Sequence, residues 1–342
     1  MASCDLPNLP IPSGWSDSRR LTQHHAAGEA SVARVQASQT APPAADPLAP
    51  SERREVVRRV LQWYGHNARD LPWRRPDATP WQVMVSEFML QQTPVERVRE
   101  PWQVWVERWP TPASLAAAPA GEAVRAWGRL GYPRRALRLH AAASMITAQH
   151  EGRVPADQQE LLRLPGVGPY TAAAISAFAY SRREVVLDTN VRRVLGRVSA
   201  GLPFPPVTVT AAESAEAREF LPRSARRAAR WGVASMELGA LICTARAPRC
   251  ASCPISDLCR WRRSGFQTAP IGGRGRTQTY EGTDRQCRGA LLAAFRAADE
   301  PLSNRALEKC WPDAAQRSRA LTSLITDGLV VNADDRRYRL PD

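Results

Sequence analysis

At 342 residues and 44% hydrophobic content, the chain has room for two to three domains and a real buried core. No apolar run approaches the ~18 residues of a membrane span, and no basic start with an apolar run marks a secretory signal. An intracellular, reducing setting is therefore expected, where clustered cysteines point to metal rather than disulfides. The formal charge of +14 implies a polyanionic partner. Every basic residue except Lys309 is arginine, the better bidentate partner for phosphate. GC-rich coding accounts for arginine over lysine, but not for the net charge.

Residues 1–48 are rich in Ala, Ser and Pro, without periodicity, and are expected to form a disordered tail. A helix follows from Ser51, its expected cap, with an apolar stripe of Val56, Val57, Val60, Leu61, Trp63 and Tyr64. The turn Asp70–Pro76 then places Trp73 beside Arg74. The next helix, Trp81 to about Thr93, is apolar on nearly every face and is expected to be buried. Glu87 lies within it. A buried carboxylate is either a proton donor with a raised pKa or one half of an ion pair with arginine, and residue type leaves both open. Leu90 lies on the same apolar run, and Gln91 and Gln92 bring amides to its end, of the kind that reach base edges. Further helices are expected from Trp102 to Trp109, Pro119 to Leu130 and Arg134 to Gln149. The loop at Gly128–Arg135 sets Tyr132 between arginines, either as a wedge for a base stack or as an aromatic covering the core.

The stretch from Leu164 to Asn190 organises the chain. A helix from Gln158 meets the turn Pro165-Gly166-Val167-Gly168, and an Ala-rich helix starts near Pro169 and Tyr170. Glycines allow close approach of a large partner, and the N–H groups of the new helix suit an anion such as a DNA phosphate. A plain helical hairpin gives the same pattern. The extended run Glu184–Leu187 ends at Asp188, which is either an N-cap for a helix from about Asn190 to Val198 or a second carboxylate kept ionised by that helix start. With Glu87 it matches the neutral acid and charged partner that glycosidic cleavage uses.

Met236-Glu237-Leu238-Gly239 leads into Cys243, Cys250, Cys253 and Cys259. Their single short knuckle fits zinc poorly, and four thiolates in one compact run suit a [4Fe-4S] cluster better. Arginines flank the run, as on a phosphate-facing surface. Residues 264–279 form a Gly/Arg/Thr linker. From 280 to 342, three helices and a terminal β-hairpin are expected, a winged-helix-like order.

These motifs together resemble the helix-hairpin-helix DNA glycosylases, and more narrowly the MutY family of adenine glycosylases. The likeness covers roughly Ser51 to Trp261, within an expected glycosylase domain of residues 51–263, and is carried by L-P-W-R, V-S-E-F-M-L-Q-Q-T, G-R-L-G-Y, L-P-G-V-G-P-Y-T-A, L-D-T-N-V-R-R-V-L, M-E-L-G-A-L-I-C and the cysteine run. It implies an all-α, two-lobed fold with a [4Fe-4S] loop, to which the winged-helix-like module is added. It also implies a bacterial, cytoplasmic, nucleoid-associated monomer acting on double-stranded DNA with adenine opposite 8-oxoguanine or G, the base flipped into the crevice between lobes. By the same resemblance, Glu87 protonates the adenine and handles the attacking water. Asp188 steadies the sugar cation, with Tyr170 and Asn190 in the same pocket. Arg74 and Glu237 contact the base, and Trp73 and Leu90 wall it. Gln92 and Tyr132 enter the stack, and Gly166, Val167 and Gly168 hold phosphate.

The alternatives are an endonuclease III-like glycosylase for oxidised pyrimidines, a uracil or thymine mismatch glycosylase, and an iron–sulfur DNA-binding protein without activity. A Schiff-base lyase needs an amine, and the only lysine lies far from these motifs, which favours a glycosylase that leaves the strand intact. Two departures from the family stand out. The residues after Arg263 lack a Nudix-type signature, and Tyr132 is followed by proline where the family often has a second tyrosine.

Overall fold

The computed structural model describes residues 48–266, 280–334 and 336–342. The expected tail up to residue 47 and most of the expected linker, residues 267–279, lie outside the described residues. Leu48, assigned above to the tail, is 1% exposed in the core.

Helix α1 (Pro50–Asn67) starts at Ala49 rather than at Ser51. Pro50 occupies its first turn, and the Glu52 carboxylate accepts from Ala49 N at 3.0 Å. A 3-10 turn at Pro72–Arg74 leads to α2 (Pro80–Leu90), capped by Thr79. The helix stops three residues short of expectation because Gln92 adopts φ 54°, outside the right-handed region. Then follow α3 (Val95–Arg108), α4 (Pro112–Ala116), α5 (Ala120–Trp127), α6 (Arg134–Gln149) and α7 (Gln158–Leu162). Helix α8 (Pro169–Tyr180) carries the Ala-rich run. Residues Glu184–Leu187 form no regular strand. Helix α9 (Thr189–Leu195) runs into a π-helical turn at Gly196–Ala200, and α10 (Ala211–Glu219), α11 (Ala225–Leu241) and the short α12 (Arg260–Arg263) complete this part.

Among the described residues two large apolar cores and a small third cluster divide these helices. One is built from α2 to α8 and centres on Trp81, Phe88, Trp105 and Trp127. The other joins α1, α9, α10 and α11 to the cysteine loop, around Val60, Val194, Trp231 and Leu238. Alanines make α8 thin enough to serve both sides. Ala172 and Ile175 enter the first core, while Ala173, Ala174 and Ala177 pack on Val186 and Ala229.

After the undescribed segment come α13 (Asp284–Ala297), β1 (Leu302–Ser303), α14 (Asn304–Cys310), α15 (Ala314–Thr326), β2 (Val331–Asp334) and β3 (Arg337–Arg339). The strands pair antiparallel in the order β1-β3-β2, with Leu302 and Asn332 both opposite Tyr338. The expected hairpin therefore gains a third strand. Among the described residues this segment has no separate core: Leu291, Phe295, Leu324 and Val330 join the first lobe's cluster. Among the described residues no helix is long and apolar enough to cross a membrane.

Candidate active site

Glu87 sits in the middle of α2, 6% exposed. Burial pushes its carboxyl up to about 7, and Asp188 adds to the rise, while the Tyr170 hydroxyl and Arg74 pull it down. Tyr170 belongs to the first turn of α8, so the proline that opens this helix also sets the phenol on Glu87. Asp188 caps α9. Its Oδ1 accepts from Val191 N at 2.6 Å and its Oδ2 from Asn190 Nδ2 at 2.7 Å. Both bonds favour the ionised form. Burial is nevertheless the larger effect and raises the Asp188 carboxyl, against the expectation of a group kept low by the helix start.

Arg74 reaches the same place from the 3-10 turn and is one of two counter-ions of Glu237. Glu237, on α11, is fully buried. Arg69 Nε and Nη2 donate to it at 2.7 and 2.9 Å, and Arg74 Nη1 at 2.9 Å. Both oxygens of its carboxylate are thus taken up by two guanidinium groups, and they hold Arg74 in place. Sequence reading missed Arg69. Its signal is only a second arginine just before the Leu71-Pro72-Trp73-Arg74 motif. Trp73 is buried in the first core, edge-on to Trp102 with ring centroids 5.6 Å apart, and Leu90 packs partly buried against the same core.

Two exposed tips flank these groups. Gln92 (φ 54°) and Tyr132 (φ 47°, 55% exposed) both adopt left-handed backbone, uncommon for residues with a Cβ. Gln91 is turned inward instead, its Nε2 donating to Thr171 Oγ1 at 3.3 Å. One buried guanidinium ties the tips together. Arg135 donates to the carbonyls of Phe88 at 2.8 Å, Gln91 at 2.5 Å and Gly131 at 3.2 Å, and to Thr93 Oγ1 at 3.0 Å. It also lies 5.4 Å from the Tyr132 ring centre. In the sequence Arg135 is one of several arginines around Tyr132, and its burial comes from the fold.

In the hairpin turn, Gly166 has φ 81°, and a Cβ there would lie 2.8 Å from both Arg138 Cβ and Phe88 Cε1. Val167 is buried beneath the turn. A Cβ on Gly168 would meet nothing within 4 Å, and α8 starts there without a side-chain cap. The N-terminus of α8 thus faces open space, as an anion site requires.

The four cysteines line one cavity with Val194, Arg197, Leu238, Ile242, Ile255 and Trp261. Among the described residues no three His, Cys, Asp or Glu side chains close on one point as ligands of a single ion do. A void ringed by thiols suits a polynuclear cluster. The charges agree: Arg197 is 1% exposed and Arg193 is 6% exposed, and while Arg193 has Asp188 as a charged neighbour, both guanidinium groups bond to Cys243. Arg197 Nη1 donates to Cys243 Sγ at 3.2 Å, and an anionic thiolate cluster supplies a counter-charge. Arg193 links this cavity to the carboxylates. It donates to Cys243 O and to Asn190 Oδ1, both at 2.7 Å, and Asn190 in turn holds Asp188. Gly239 permits the contact, since a Cβ there would meet Asn190 Cβ at 2.7 Å.

The family profile of HhH-GPD superfamily base excision DNA repair proteins matches residues 85–217. The chain is 50% identical over 288 residues to an adenine DNA glycosylase of Mycobacterium tuberculosis, covering 82% of this chain and 92% of that one. The chain belongs to the adenine DNA glycosylase family. An adenine DNA glycosylase of Mycolicibacterium smegmatis is 49% identical, with 82% of this chain and 94% of that one covered. The human adenine DNA glycosylase is 39% identical over 60% of this chain and 39% of its own length. The iron–sulfur binding domain of endonuclease III matches residues 243–259, which span the four cysteines, so the chain carries a [4Fe-4S] cluster domain. Among solved structures, a thermostable thymine-DNA glycosylase has TM-score 0.58 at 25% identity, covering 63% of this chain and 98% of that one. Endonuclease III in a non-covalent DNA complex has TM-score 0.55 at 22% identity, with 64% of this chain and 99% of that one covered, and shares the fold.

Proposed function

We propose that this enzyme hydrolyses the N-glycosidic bond of adenine opposite 8-oxoguanine or G in duplex DNA, and leaves the strand uncut. The observation that carries the reading is the carboxyl pair. Glu87, pushed up to about 7, is protonated in a large fraction of molecules at neutral pH, and Asp188 faces it from the start of α9. Glu87 gives its proton to the flipped adenine ring. The bond from base to C1′ then breaks, with its electron pair leaving on the base. The Asp188 carboxylate, held by Val191 N and Asn190, stabilises the positive charge on the sugar. Water adds to C1′, and its proton returns to Glu87. Tyr170 orients Glu87. Arg74, held by Glu237, contacts the base.

Gln92 and Tyr132 are the residues set to enter the stack, and Gly166, Val167 and Gly168 to receive a phosphate of the bent strand. Adenine is a normal base, so an enzyme that removes it must recognise the partner. G and 8-oxoguanine are the purines against which adenine is misplaced. Uncut product is supported by the pocket's chemistry: strand cutting through a Schiff base needs an amine, Tyr170 occupies the wall beside Glu87, and Lys309 lies on α14. When bound, the [4Fe-4S] cluster on Cys243, Cys250, Cys253 and Cys259 supplies a rigid anionic centre for the loop that carries it. We further propose that the enzyme works as a monomer.

Single-turnover cleavage is measured on duplexes carrying A opposite 8-oxoguanine, A opposite G, and an oxidised pyrimidine, each with and without alkali. Adenine loss that appears as breaks only after alkali, and is abolished in Glu87→Gln while DNA binding persists, is the expected result. Breaks without alkali on the pyrimidine duplex, or near-normal release by Glu87→Gln, overturn it.

A further inference from the structure

The C-terminal residues 280–342 have no part in the chemistry above, and 64% of this chain suffices to cover 99% of the endonuclease III structure. Their charge argues against a second grip on DNA. They contain ten basic and ten acidic residues, whereas residues 51–263 hold 32 against 19, which is +13 of the chain's +14. Several of these arginines are already paired: Arg317 with Glu308 at 3.3 Å, Arg319 with Asp284 at 2.9 Å, Arg337 with Asp334 at 2.5 Å.

What the segment does touch is specific. It holds both helices that flank the Tyr132 loop. On α5, Gly121 N donates to Pro341 O at 2.6 Å, and a Cβ on Gly121 would sit 2.5 Å from that oxygen. Arg125 donates to the carbonyls of Arg296 and Ala298, and Arg296 Nε donates back to Val124 O at 2.9 Å. On α6, Arg134 Nη1 lies 3.1 Å from Asp327 Oδ1, and Leu137 packs near Gly328. Between these anchors the loop carbonyls are occupied as well. Thr93 Oγ1 donates to Leu130 O at 3.4 Å, and Trp127 Nε1 to Gly131 O at 2.9 Å.

We propose that residues 280–342 brace the Tyr132 loop by clamping α5 and α6 on either side of it, with Asp327 and the Pro341 tail as positioning contacts, and that they do not grip DNA themselves. A wedge must transmit force into a base stack whose opening costs a few kcal/mol per step. A loop whose flanking helices yield loses that force. The brace rests on the reading of Tyr132 as the wedge.

The test uses the full, cluster-loaded chain in a Glu87→Gln background, so that DNA stays intact, and a mismatched duplex with 2-aminopurine beside the target adenine. Unstacking is read as fluorescence, and affinity as a function of salt. Asp327 also pairs with Arg288 at 2.5 Å, within residues 280–342; Asp327→Asn should cut the fluorescence rise at least about twofold, and Gly121→Ala should cut it further. Affinity should stay within about twofold with an unchanged salt slope. Arg134→Gln combined with Asp327→Asn should be no worse than Asp327→Asn alone, since among the described residues Arg134 pairs only through Asp327. Tyr132→Ala should abolish the rise; if it does not, the wedge reading itself falls. If Tyr132→Ala is dark while Asp327→Asn and Gly121→Ala keep the full rise, the brace alone falls. A salt slope flattened by about one unit per lost contact in Arg317→Gln/Arg319→Gln shows phosphate binding by the segment and also overturns the proposal.

Discussion

Removing the Tyr170 hydroxyl is the sharpest probe of how Glu87 is tuned. Glu87 stands at about 7 because burial outweighs the hydrogen bond that Tyr170 donates to its ionised form. A hydrogen bond to a charged group is worth ~1.5 kcal/mol at the low end of its range, and 1.36 kcal/mol corresponds to about one pKa unit. Tyr170→Phe should therefore move Glu87 upward by ~1 unit. At pH ~8.5 an acid at 7 is about 3% protonated and one at 8 about 24%, an ~8-fold larger competent fraction. The assay is single-turnover adenine release at saturating enzyme from about pH 5.5 to 9.5. The wild-type rate should fall on the alkaline side of about 7, and in Tyr170→Phe that limb should shift to higher pH, whatever happens to the maximum rate. An alkaline limb that stays in place or moves to lower pH refutes the assignment of Glu87 as the acid under Tyr170 control.

Glu237→Gln should lower stability by about 3–5 kcal/mol, because it leaves Arg69 and Arg74 facing each other without their shared counter-ion. A fall in Tm on the order of 10 °C checks it. Burial opposes the charge of Glu237, but the two guanidinium groups outweigh it and hold the carboxyl below its usual value. Its contribution is accordingly complete above ~4.5 and lost as pH falls through the lowered value, which melting curves at descending pH will show. Gly166→Ala combines φ 81° with two contacts at 2.8 Å. It should cost about 1–3 kcal/mol, and weaken duplex binding more than it slows release from the bound complex, as titration and single-turnover rates can separate.

The local chemistry was legible in the chain because it is written in short motifs. Proline, glycine and the alanine run set the hairpin and the thin helix α8. Asp188 capped a helix, as Asp-Thr-Asn predicts. Four cysteines within one short run needed no long-range information to be grouped. The placement of Glu87 in an almost wholly apolar helix also made its burial readable, and with burial came the raised pKa.

Other features depended on distant segments meeting. Whether Glu87 was an acid or half of an ion pair turned on where the nearest arginines went. Arg69 and Arg74 are claimed by Glu237, more than 160 residues later, and so burial prevails and Glu87 is raised to about 7. Asp188 is raised rather than lowered because α9 packs into the protein, and a helix start favours a charge less than burial disfavours it. Arg135 looked like a surface cation, yet α6 carries it beneath two strained tips. The C-terminal helices and strands were readable one by one, but their sharing of the first lobe's core was not. An apolar face states that it will be buried, and only the tertiary structure decides against what.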